Sequence, residues 1–466
     1  MAGSFSTLNT ALSALRYQQA TLDITSTNIA NASTEGYVRR RIVGQTVGAA
    51  AAPAVWSRSS EIGSGVVATG VDRLVDPLLD TRVRREHARQ TYLDLKSAAL
   101  QRVETGIAEP SDNGVAKALD TFKNSLDDLN NAPGSDAARS QVLANAAVVA
   151  DAFNIQAHNI HDELGDQRAR VLASVQEVND VAAQLAATNE TIAQSRGGGS
   201  DVATLMDVRD RLALRLSELT GATAKVNSSG GMDVELDGAS LVSGSSHATL
   251  QITGGVNPDG TAGPGPVTFQ LQPPGAVPPV ALAGLAGDLG ASAELIDVDL
   301  PDYLEQLNTL VASFADALNT AHAAGYDAAG DPGGPLFSYD PLDPASTVAV
   351  AITTGGKLAV SSIPGGGLDT GNAHTMADAI TIQDGYQRLV NGFGSKVASI
   401  ERLASNQRSM STQVDTAREQ LAGVSIDEET VNMVLAQRSY EAAARVMTAV
   451  DEMLDTLINR TGTVGR

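Results

Sequence analysis

The sequence predicts a mainly α-helical, elongated protein with a smaller β-rich insertion near the middle of the chain. Apolar residues repeat every three or four positions near both termini, which is typical of coiled-coil-like helices. A proline-free stretch over 135–196, rich in Ala, Gln and Val, favours one or two very long helices. Short apolar runs separated by Gly-containing turns follow Gly221 and indicate β-hairpins. These observations predict coiled-coil-like terminal helices, a long antiparallel helical bundle and a central β domain.

The first predicted helix runs from the N-terminus to about residue 29. Its apolar positions are three, four or seven residues apart and form one narrow seam, made of Leu8, Leu12, Leu15, Leu22 and Ile29. A helix with so narrow a seam needs a partner helix or a core to pack on. Small polar residues and Gly36 predict a turn over 31–36, and residues 42–70 are expected to be irregular.

The last predicted helix mirrors the first one. Ser425 and Glu428 form a capping box, so the helix is predicted to begin near Ile426 and to continue without Gly or Pro to Thr461. Its seam consists of Ala443, Val446, Val450, Met453 and Leu457. Each seam can pack on the core of its own chain, which is the usual arrangement for a single amphipathic helix, or the two seams can meet.

Further helices are predicted between the two ends, over 71–106, 115–131, 202–220, from about residue 302 onwards, and 393–421. The expected division of the chain is an N-terminal axial helix with an extended segment (1–60), three parts of a helical bundle (61–221, 291–325 and 376–423), a β-rich insertion (222–290), a Gly- and Pro-rich mixed segment (326–375) and a C-terminal axial helix (424–466). The chain ends are thus expected to return to the same place.

Composition and charge exclude several classes of function. With 32 Lys and Arg against 54 Asp and Glu, the net charge is 32 − 54 = −22, so no electrostatic footprint for nucleic acid is expected. The absence of Cys excludes disulfides, thiol nucleophiles and thiolate metal sites. No secretory signal peptide and no transmembrane-length apolar segment are recognised, so membrane insertion is not expected.

Candidate sites for chemistry are few, and each is better explained by structure. His158 and His161 are three residues apart on a predicted helix, but no third metal ligand is implied. Asp327 and Asp331 flank Gly330 without the spacing of a calcium loop. No catalytic, cofactor-binding or metal site is therefore predicted. Two basic clusters, Arg39–Arg41 and Arg82/Arg84/Arg85/Arg89, are expected to face acidic neighbours, in subunit contacts or on a solvated surface.

Two long motifs at opposite ends of the chain resemble a known superfamily. Residues 28–39 resemble the ANxxTxGYxR signature of rod, hook and hook-associated proteins of the bacterial flagellum, and residues 425–457 resemble the matching C-terminal motif. The residues that carry this likeness are Asn28, Asn31, Gly36, Tyr37, Arg39, Asp427, Glu428, Glu429 and Tyr440. In the interior, 205–217 and 318–325 resemble the hook-associated protein 1 family, which forms the hook-filament junction. The opening turns are less apolar and the central region is shorter than is usual in that family.

The resemblance implies a non-catalytic tubular building block that is exported through the flagellar type III channel without a cleaved signal peptide. Its implied partners are other copies of itself in a ring, the flagellar hook protein, the second hook-filament junction protein and an export chaperone at the C-terminal helix. We expect a mechanical adaptor between hook and filament that is required for filament assembly. In this adaptor, the two terminal seams are expected to meet, with Leu8, Leu15, Leu22 and Ile29 near Val446, Val450, Met453 and Leu457. The alternatives are a hook or rod subunit, which would lack the segment 207–210, or a wall hydrolase, which would need acids that 239–287 does not provide.

Overall fold

Helices dominate the structure, a computed structural model that describes residues 2–47, 65–112, 114–197, 201–366 and 368–456. The α-helices of these segments are α1 (Ala2–Ala30), α2 (Pro77–Ile107), α3 (Val115–Asp128), α4 (Asp136–Gly197), α5 (Ala203–Thr220), α6 (Gly287–Glu294), α7 (Leu300–Ala323), α8 (Pro344–Thr347), α9 (Gly371–Ala379), α10 (Gln383–Ala422) and α11 (Ile426–Asp455). A π-helical turn at Leu295–Asp299 joins α6 to α7.

The strands form small antiparallel sheets. They are β1 (Arg40–Thr46), β2 (Val66–Arg73), β3 (Thr223–Val226), β4 (Met232–Leu236), β5 (Ala239–Ser243), β6 (Ser246–His247), β7 (Thr249–Gly254), β8 (Thr268–Gln272), β9 (Val280–Leu282), β10 (Phe337–Ser338) and β11 (Ala349–Val350). The sheet orders are β1-β2, β3-β4-β5-β6, β7-β8-β9 and β10-β11. The predicted class, mainly α with a smaller β-rich insertion, is thus confirmed.

Several predicted elements are found close to their expected positions. The stretch over 135–196 is one helix, α4, whose 62 residues extend for about 90 Å. The helix α5 ends at Gly221, which adopts a left-handed φ of +75° and donates its N–H to the Ser217 carbonyl. The predicted cap of the C-terminal helix is present in its first half, since the Ser425 hydroxyl accepts a hydrogen bond from the Glu428 N–H, while the Glu428 carboxylate binds Arg39.

Two expectations about local structure are wrong. The described parts of 42–70 are not irregular, because residues 42–46 belong to β1, residues 66–70 belong to β2, and the two strands pair. Both faces of this ribbon are largely exposed, so its sequence lacks the alternation that reveals a half-buried strand. The helix expected from Val71 begins at Pro77, which follows the capping residue Asp76.

Two other helices begin earlier than expected. Helix α10 begins at Gln383 instead of Phe393, although Gly385, Gly392 and Gly394 lower its intrinsic propensity. The burial of Tyr386 in the core outweighs that cost. The helix expected from about residue 302 is preceded by α6 and the π-helical turn, so helical structure resumes at Gly287.

An aromatic cluster joins four helices in the core of the helical body. The ring of Phe314 on α7 lies 6.5 Å from Phe122 of α3, 6.0 Å from Phe153 of α4 and 5.3 Å from Phe337 of β10. Phe153 in turn meets Tyr386 of α10 at 6.2 Å in an edge-to-face arrangement. All five side chains are buried, so this cluster fixes how α3, α4, α7 and α10 pack.

The β-rich insertion is attached to α4 by two asparagine side chains. Asn179 accepts a hydrogen bond from the Leu250 N–H at 2.7 Å and donates one to the Leu250 carbonyl at 3.0 Å. Asn189 makes the same pair of bonds to Met232, at 2.8 and 2.9 Å. Each side-chain amide therefore makes the pair of hydrogen bonds that a neighbouring strand would make. These bonds satisfy backbone groups that would otherwise be buried without partners.

The terminal helices run antiparallel. Asn28 near the end of α1 donates a hydrogen bond to Glu429 at the start of α11, and the two helices pack along one another. Val450 is 21 residues beyond Glu429, which places it about 30 Å further along α11. Ile29 therefore cannot pack on Val450, and Leu22, two turns earlier, is still about 20 Å away. The expected contacts of Leu22 and Ile29 with the end of α11 are wrong, since an antiparallel pair brings opposite ends together.

The buried stripe of α11 also differs from the predicted seam. Val450 is 3% exposed, as expected for a packed position, whereas Val446 and Met453 are 46% and 56% exposed. Met447 and Leu454, each one residue further along the chain, are half-buried instead. The packed stripe is therefore shifted by one residue at these two positions. Leu8, Leu12, Leu15, Leu22 and Ile29 on α1 are all half-buried. Leu457 lies outside the described residues.

Replacing Asn179 with Ala should loosen the insertion from α4. The change leaves the N–H and carbonyl of Leu250 without their partner, and a buried unsatisfied polar group costs about 1–3 kcal/mol. We expect faster hydrogen exchange at the Leu250 amide and a lower free energy of unfolding in urea. Gln176→Ala, an exposed change one turn earlier on α4, serves as the control. Equal exchange rates in the two variants would contradict the proposed attachment.

Candidate functional site

The residues of both terminal motifs meet at a cluster between the chain ends and the helical body. We call this cluster the polar junction, and its members are Asn28, Tyr37, Arg39, Arg40, Arg73, Asp207, Asp210, Glu428 and Glu429. Asn28 lies at the end of α1, the arginines lie on or beside β1 and β2, and the acidic residues lie on α5 and α11. The polar junction thus connects four parts of the fold.

A tight turn after α1 brings the chain back past its own helix. The Asn31 side chain donates to the Thr27 carbonyl and accepts from the Thr34 hydroxyl. Gly36 then adopts a left-handed φ of +76°, and a Cβ atom there would lie 3.1 Å from Cδ of Arg211. The turn therefore requires Gly at this position, both for its conformation and for the close approach of α5.

Asn28 is the central hydrogen-bonding residue of the polar junction. Its Oδ1 accepts hydrogen bonds from the Tyr37 hydroxyl at 2.7 Å and the Arg40 N–H at 3.1 Å. Its Nδ2 donates to the Arg40 carbonyl at 2.9 Å and to the Glu429 carboxylate at 2.9 Å. The side chain is buried, and its amide uses two donors and two acceptor positions. A residue that lacks either group would leave buried partners unsatisfied.

Arg39 connects the returning chain to the first turn of α11. Its guanidinium lies 2.9 Å from the Glu428 carboxylate and 2.7 Å from that of Glu429. Its backbone N–H also donates to the carbonyl of Ala422, the last residue of α10. Acidic side chains at a helix N-terminus interact favourably with the helix dipole, so Glu428 and Glu429 stabilise both α11 and the connection to Arg39.

Two further arginines connect the ribbon to α5. Arg40 and Arg73 are paired directly across β1 and β2, where two like charges would repel one another. Asp207 lies between them, at 2.9 Å from Arg40 and 2.7 Å from Arg73, and Asp210 is 2.8 Å from Arg73. The four side chains are largely buried, so each guanidinium depends on these carboxylates for compensation.

Tyr37 completes the packing around Arg40. The Arg40 guanidinium lies 4.9 Å from the centre of the Tyr37 ring, within the range of a cation–π interaction. Burial raises the pKa of Tyr37, and the nearby Arg40 charge opposes this effect only in part. The phenol therefore stays neutral at ordinary pH, and its O–H can donate a hydrogen bond to Asn28.

The polar junction contains some of the expected motif residues and omits others. Asn28, Tyr37, Arg39, Glu428 and Glu429 meet there, and Asn31 and Gly36 shape the preceding turn. Asp427 is exposed in the first turn of α11, and Tyr440 is also exposed. Both lie outside the polar junction, although they carry part of the motif resemblance.

The partners of the basic run Arg39–Arg41 lie far from it in sequence. Arg39 and Arg40 do face acidic residues, but within the same chain. Arg41 alone of this run is on the surface, where it pairs with Asp72. Arg73 was not singled out at all, because the opposition of Arg40 and Arg73 depends on a strand pairing that the sequence pattern did not reveal.

The other candidate groups have local structural partners. The His158 ring bonds to the Asn154 carbonyl and His161 lies 3.3 Å from Asp343. Lys357 lies 2.8 and 3.3 Å from the carboxylates of Asp327 and Asp331. Among the described residues, no three His, Asp or Glu side chains are grouped so that they could hold a metal ion. No helix in that part of the chain is long and apolar enough to cross a membrane.

Comparison with protein families identifies three matching regions. The model of the flagellar hook-associated protein FlgK helical domain matches residues 100–337. The models described as flagella basal body rod protein and flagellar basal body rod FlgEFG protein C-terminal match residues 8–37 and 420–460. The polar junction therefore lies where the three matched regions meet.

Comparison with individual proteins covers almost the whole chain. The flagellar hook-associated protein 1 of Bacillus subtilis (strain 168) is 29% identical over 511 aligned residues, which cover 100% of both chains. The protein of the same name in Escherichia coli (strain K12) is 24% identical, covering 97% of this chain and 99% of the relative. The solved structure of the flagellar hook junction protein FlgK from Burkholderia pseudomallei aligns with a TM-score of 0.50 and 24% identity, covering 56% of this chain and 47% of that one. The structural likeness supports the fold.

Replacing Asp207 with Asn should strongly destabilise the attachment of the ribbon to α5. Breaking a buried ion pair by neutralising one partner costs about 3–5 kcal/mol, because the remaining charge is left uncompensated. We expect a lower free energy of unfolding, measured by urea denaturation of the full chain.

Asp72→Asn is the matched control for this variant. It removes a carboxylate beside Arg73 in sequence, but one that pairs with the exposed Arg41, so a loss of at most about 1 kcal/mol is expected. If the two variants lose the same stability, the buried pairing does not hold the ribbon.

Proposed function

The chain belongs to the family of the flagellar hook-associated protein FlgK, and we propose on that premise that it is a structural subunit of the bacterial flagellum at the junction between hook and filament. The observation that carries this proposal is the match of the FlgK helical domain to residues 100–337, between two terminal segments that match rod-protein models. A hook or rod subunit would account for the terminal matches only. Relatives over the full length are named as hook-associated proteins, which favours a structural role over an enzymatic one.

The terminal helices provide the surface by which copies of the chain would assemble. Helix α11 packs on α1 along one stripe and leaves large apolar side chains exposed on the rest of its surface, which are Ile426, Val431, Val434, Leu435, Val446 and Met453. So many large apolar side chains exposed on one helix favour a contact with another macromolecule. We assign it to neighbouring copies in a ring, with the terminal helices as an inner tube, the helical body as a middle layer and the β insertion at the outer surface.

The polar junction supports a role as a mechanical adaptor. A bending hook and a rigid filament would apply load to the terminal helices, and that load must pass to the helical body. The buried ion pairs of Arg40 and Arg73 with Asp207 connect the two regions. Arg73 binds the carboxylates of Asp207 and Asp210 together, so the connection keeps a second charge-assisted contact if one of them is stretched.

The remaining parts of the proposal concern partners and location. We place the protein outside the cell, at the hook-filament junction, after export by the flagellar type III route. The proposed neighbours are the hook protein on one side and the second junction protein on the other. Before assembly, an export chaperone would cover the C-terminal helix, whose exposed apolar side chains would otherwise associate in the cytoplasm.

Deletion of the gene tests the place in the flagellum. We expect cells with hooks but no filaments, together with unassembled flagellin in the medium, by electron microscopy and immunoblotting. Missing hooks would instead assign the protein to the rod or hook, and normal filaments would contradict the family-based function.

Charged substitutions test the assembly surface. Val446→Glu places a charge at a position that is exposed in the single chain, so the variant should keep its helical content and its free energy of unfolding. If a second copy covers Val446, flagella should not incorporate the variant, because burying an unpaired charge is costly. Leu15→Glu and Val450→Glu, within the α1–α11 contact, should also abolish assembly while the helical body stays folded.

Leu342→Glu provides the control for these variants. Leu342 is 91% exposed and lies in a loop far along the chain from α11, so this change should assemble normally. Normal incorporation of Val446→Glu would show that this face of α11 is not a subunit contact, while the other two variants test the terminal pair independently.

A further inference from the structure

His87 lies between two carboxylates that belong to different helices. The residue is on α2, and its Nε2 is 2.9 Å from Oδ2 of Asp415 on α10. Its Nδ1 is 3.4 Å from Oε1 of Glu218 on α5. One imidazole ring therefore links α2, α5 and α10, each of which carries or adjoins residues of the polar junction.

The geometry of this contact depends on the protonation state of the ring. A neutral imidazole carries one N–H and presents a lone pair at its other nitrogen, whereas an imidazolium donates from both nitrogens. Only the imidazolium can therefore donate to Glu218 and Asp415 together. In the neutral state, one carboxylate would face a lone pair, and that contact would be repulsive.

Nearby charges favour the imidazolium. The hydrogen bond to Glu218, joined by that to Asp415, outweighs burial and raises the pKa of His87. Burial also opposes ionisation of Glu218, but hydrogen bonds from His87 and Arg215 lower its pKa. The arginines nearby have acidic partners of their own, since Arg215 lies 2.6 Å from Glu177 and Arg418 lies 3.0 Å from Asp80.

A cavity beside His87 connects this contact to the polar junction. It has a volume of about 630 Å³, and its further charged lining residues are Glu35, Arg39, Glu419 and Glu428. Asp415 is two turns before Ala422, whose carbonyl accepts the N–H of Arg39. The last turns of α10 therefore lie between the His87 contact and the point where the chain ends join the body.

We propose that His87 is a pH-sensitive clamp, which ties α2 to both α5 and the last turns of α10 when protonated and keeps only one of these two contacts when it loses its proton. This goes beyond the role at the hook-filament junction, because it makes the attachment of the terminal helices to the body depend on pH. The clamp stabilises the structure fully below the unfolded pKa of His, about 6.5, and the stabilisation is lost as pH rises through the higher folded pKa.

Two measurements on the full chain test the clamp. The pKa of His87 is measured by NMR titration of the six histidines, with the signal assigned by its absence in His87→Gln. It should be above the ordinary value for His, about 6.5, and Glu218→Gln should lower it. Hydrogen exchange of peptides from 212–220 and 405–422 is then measured at about pH 5.5 and about pH 8.5. Protection of one of these two peptides should fall by roughly tenfold at the higher pH, as expected when a charge-assisted hydrogen bond is lost.

The variants separate the clamp from general destabilisation. In His87→Gln the protection of the pH-sensitive peptide should be low at both pH values, whereas His247→Gln, which removes an exposed histidine from β6, should keep the pH dependence. A pKa of His87 at or below about 6.5 would overturn the proposal. Unchanged protection of both 212–220 and 405–422 between the two pH values in the unmodified chain would also overturn it, and that result needs no variant.

Discussion

The placement of the chain ends depends on one buried charge arrangement. Arg40 and Arg73 are opposite one another on β1 and β2, and neither could be buried there without compensation. Asp207 on α5 lies between them and binds both guanidinium groups, with Asp210 as a second partner for Arg73. The ribbon is consequently held against the helical body, and the turn that follows α1 is held with it.

Asn28 then joins the two ends of the chain. Its side chain bonds to the returning segment and to Glu429, which is 401 residues away in sequence. Contacts of such long sequence separation form only after the intervening chain has folded or docked. The terminal pair of helices is therefore expected to become ordered later than the body.

Two kinds of interaction stabilise different parts of the molecule. Close packing around Phe314 holds the helices of the body together. The insertion is attached along α4 through the side chains of Asn179 and Asn189. Between the body and the chain ends, α2 and α10 are joined largely by polar contacts, of which His87 with Asp415 is one. Interactions of the first kind resist any rearrangement, whereas polar contacts respond to pH and salt and can exchange partners.

The sequence by itself determined the helices, the β-rich insertion and the family. Regular apolar spacing, the cap at Ser425 and the proline-free stretch of α4 are local signals, and local signals predict local structure. The residues Asn28, Arg39 and Glu429 could be singled out as motif members, but their mutual contacts could not.

Only the tertiary structure decided which residues meet. The antiparallel direction of α1 and α11 placed Ile29 far from Val450, and the pairing of β1 with β2 brought Arg73 beside Arg40. The ribbon is exposed on both faces, so no alternation of apolar residues marked its strands or their register. Partners that are distant in sequence are selected by burial and charge compensation in the folded chain, and neither is visible in the spacing of residues along one helix.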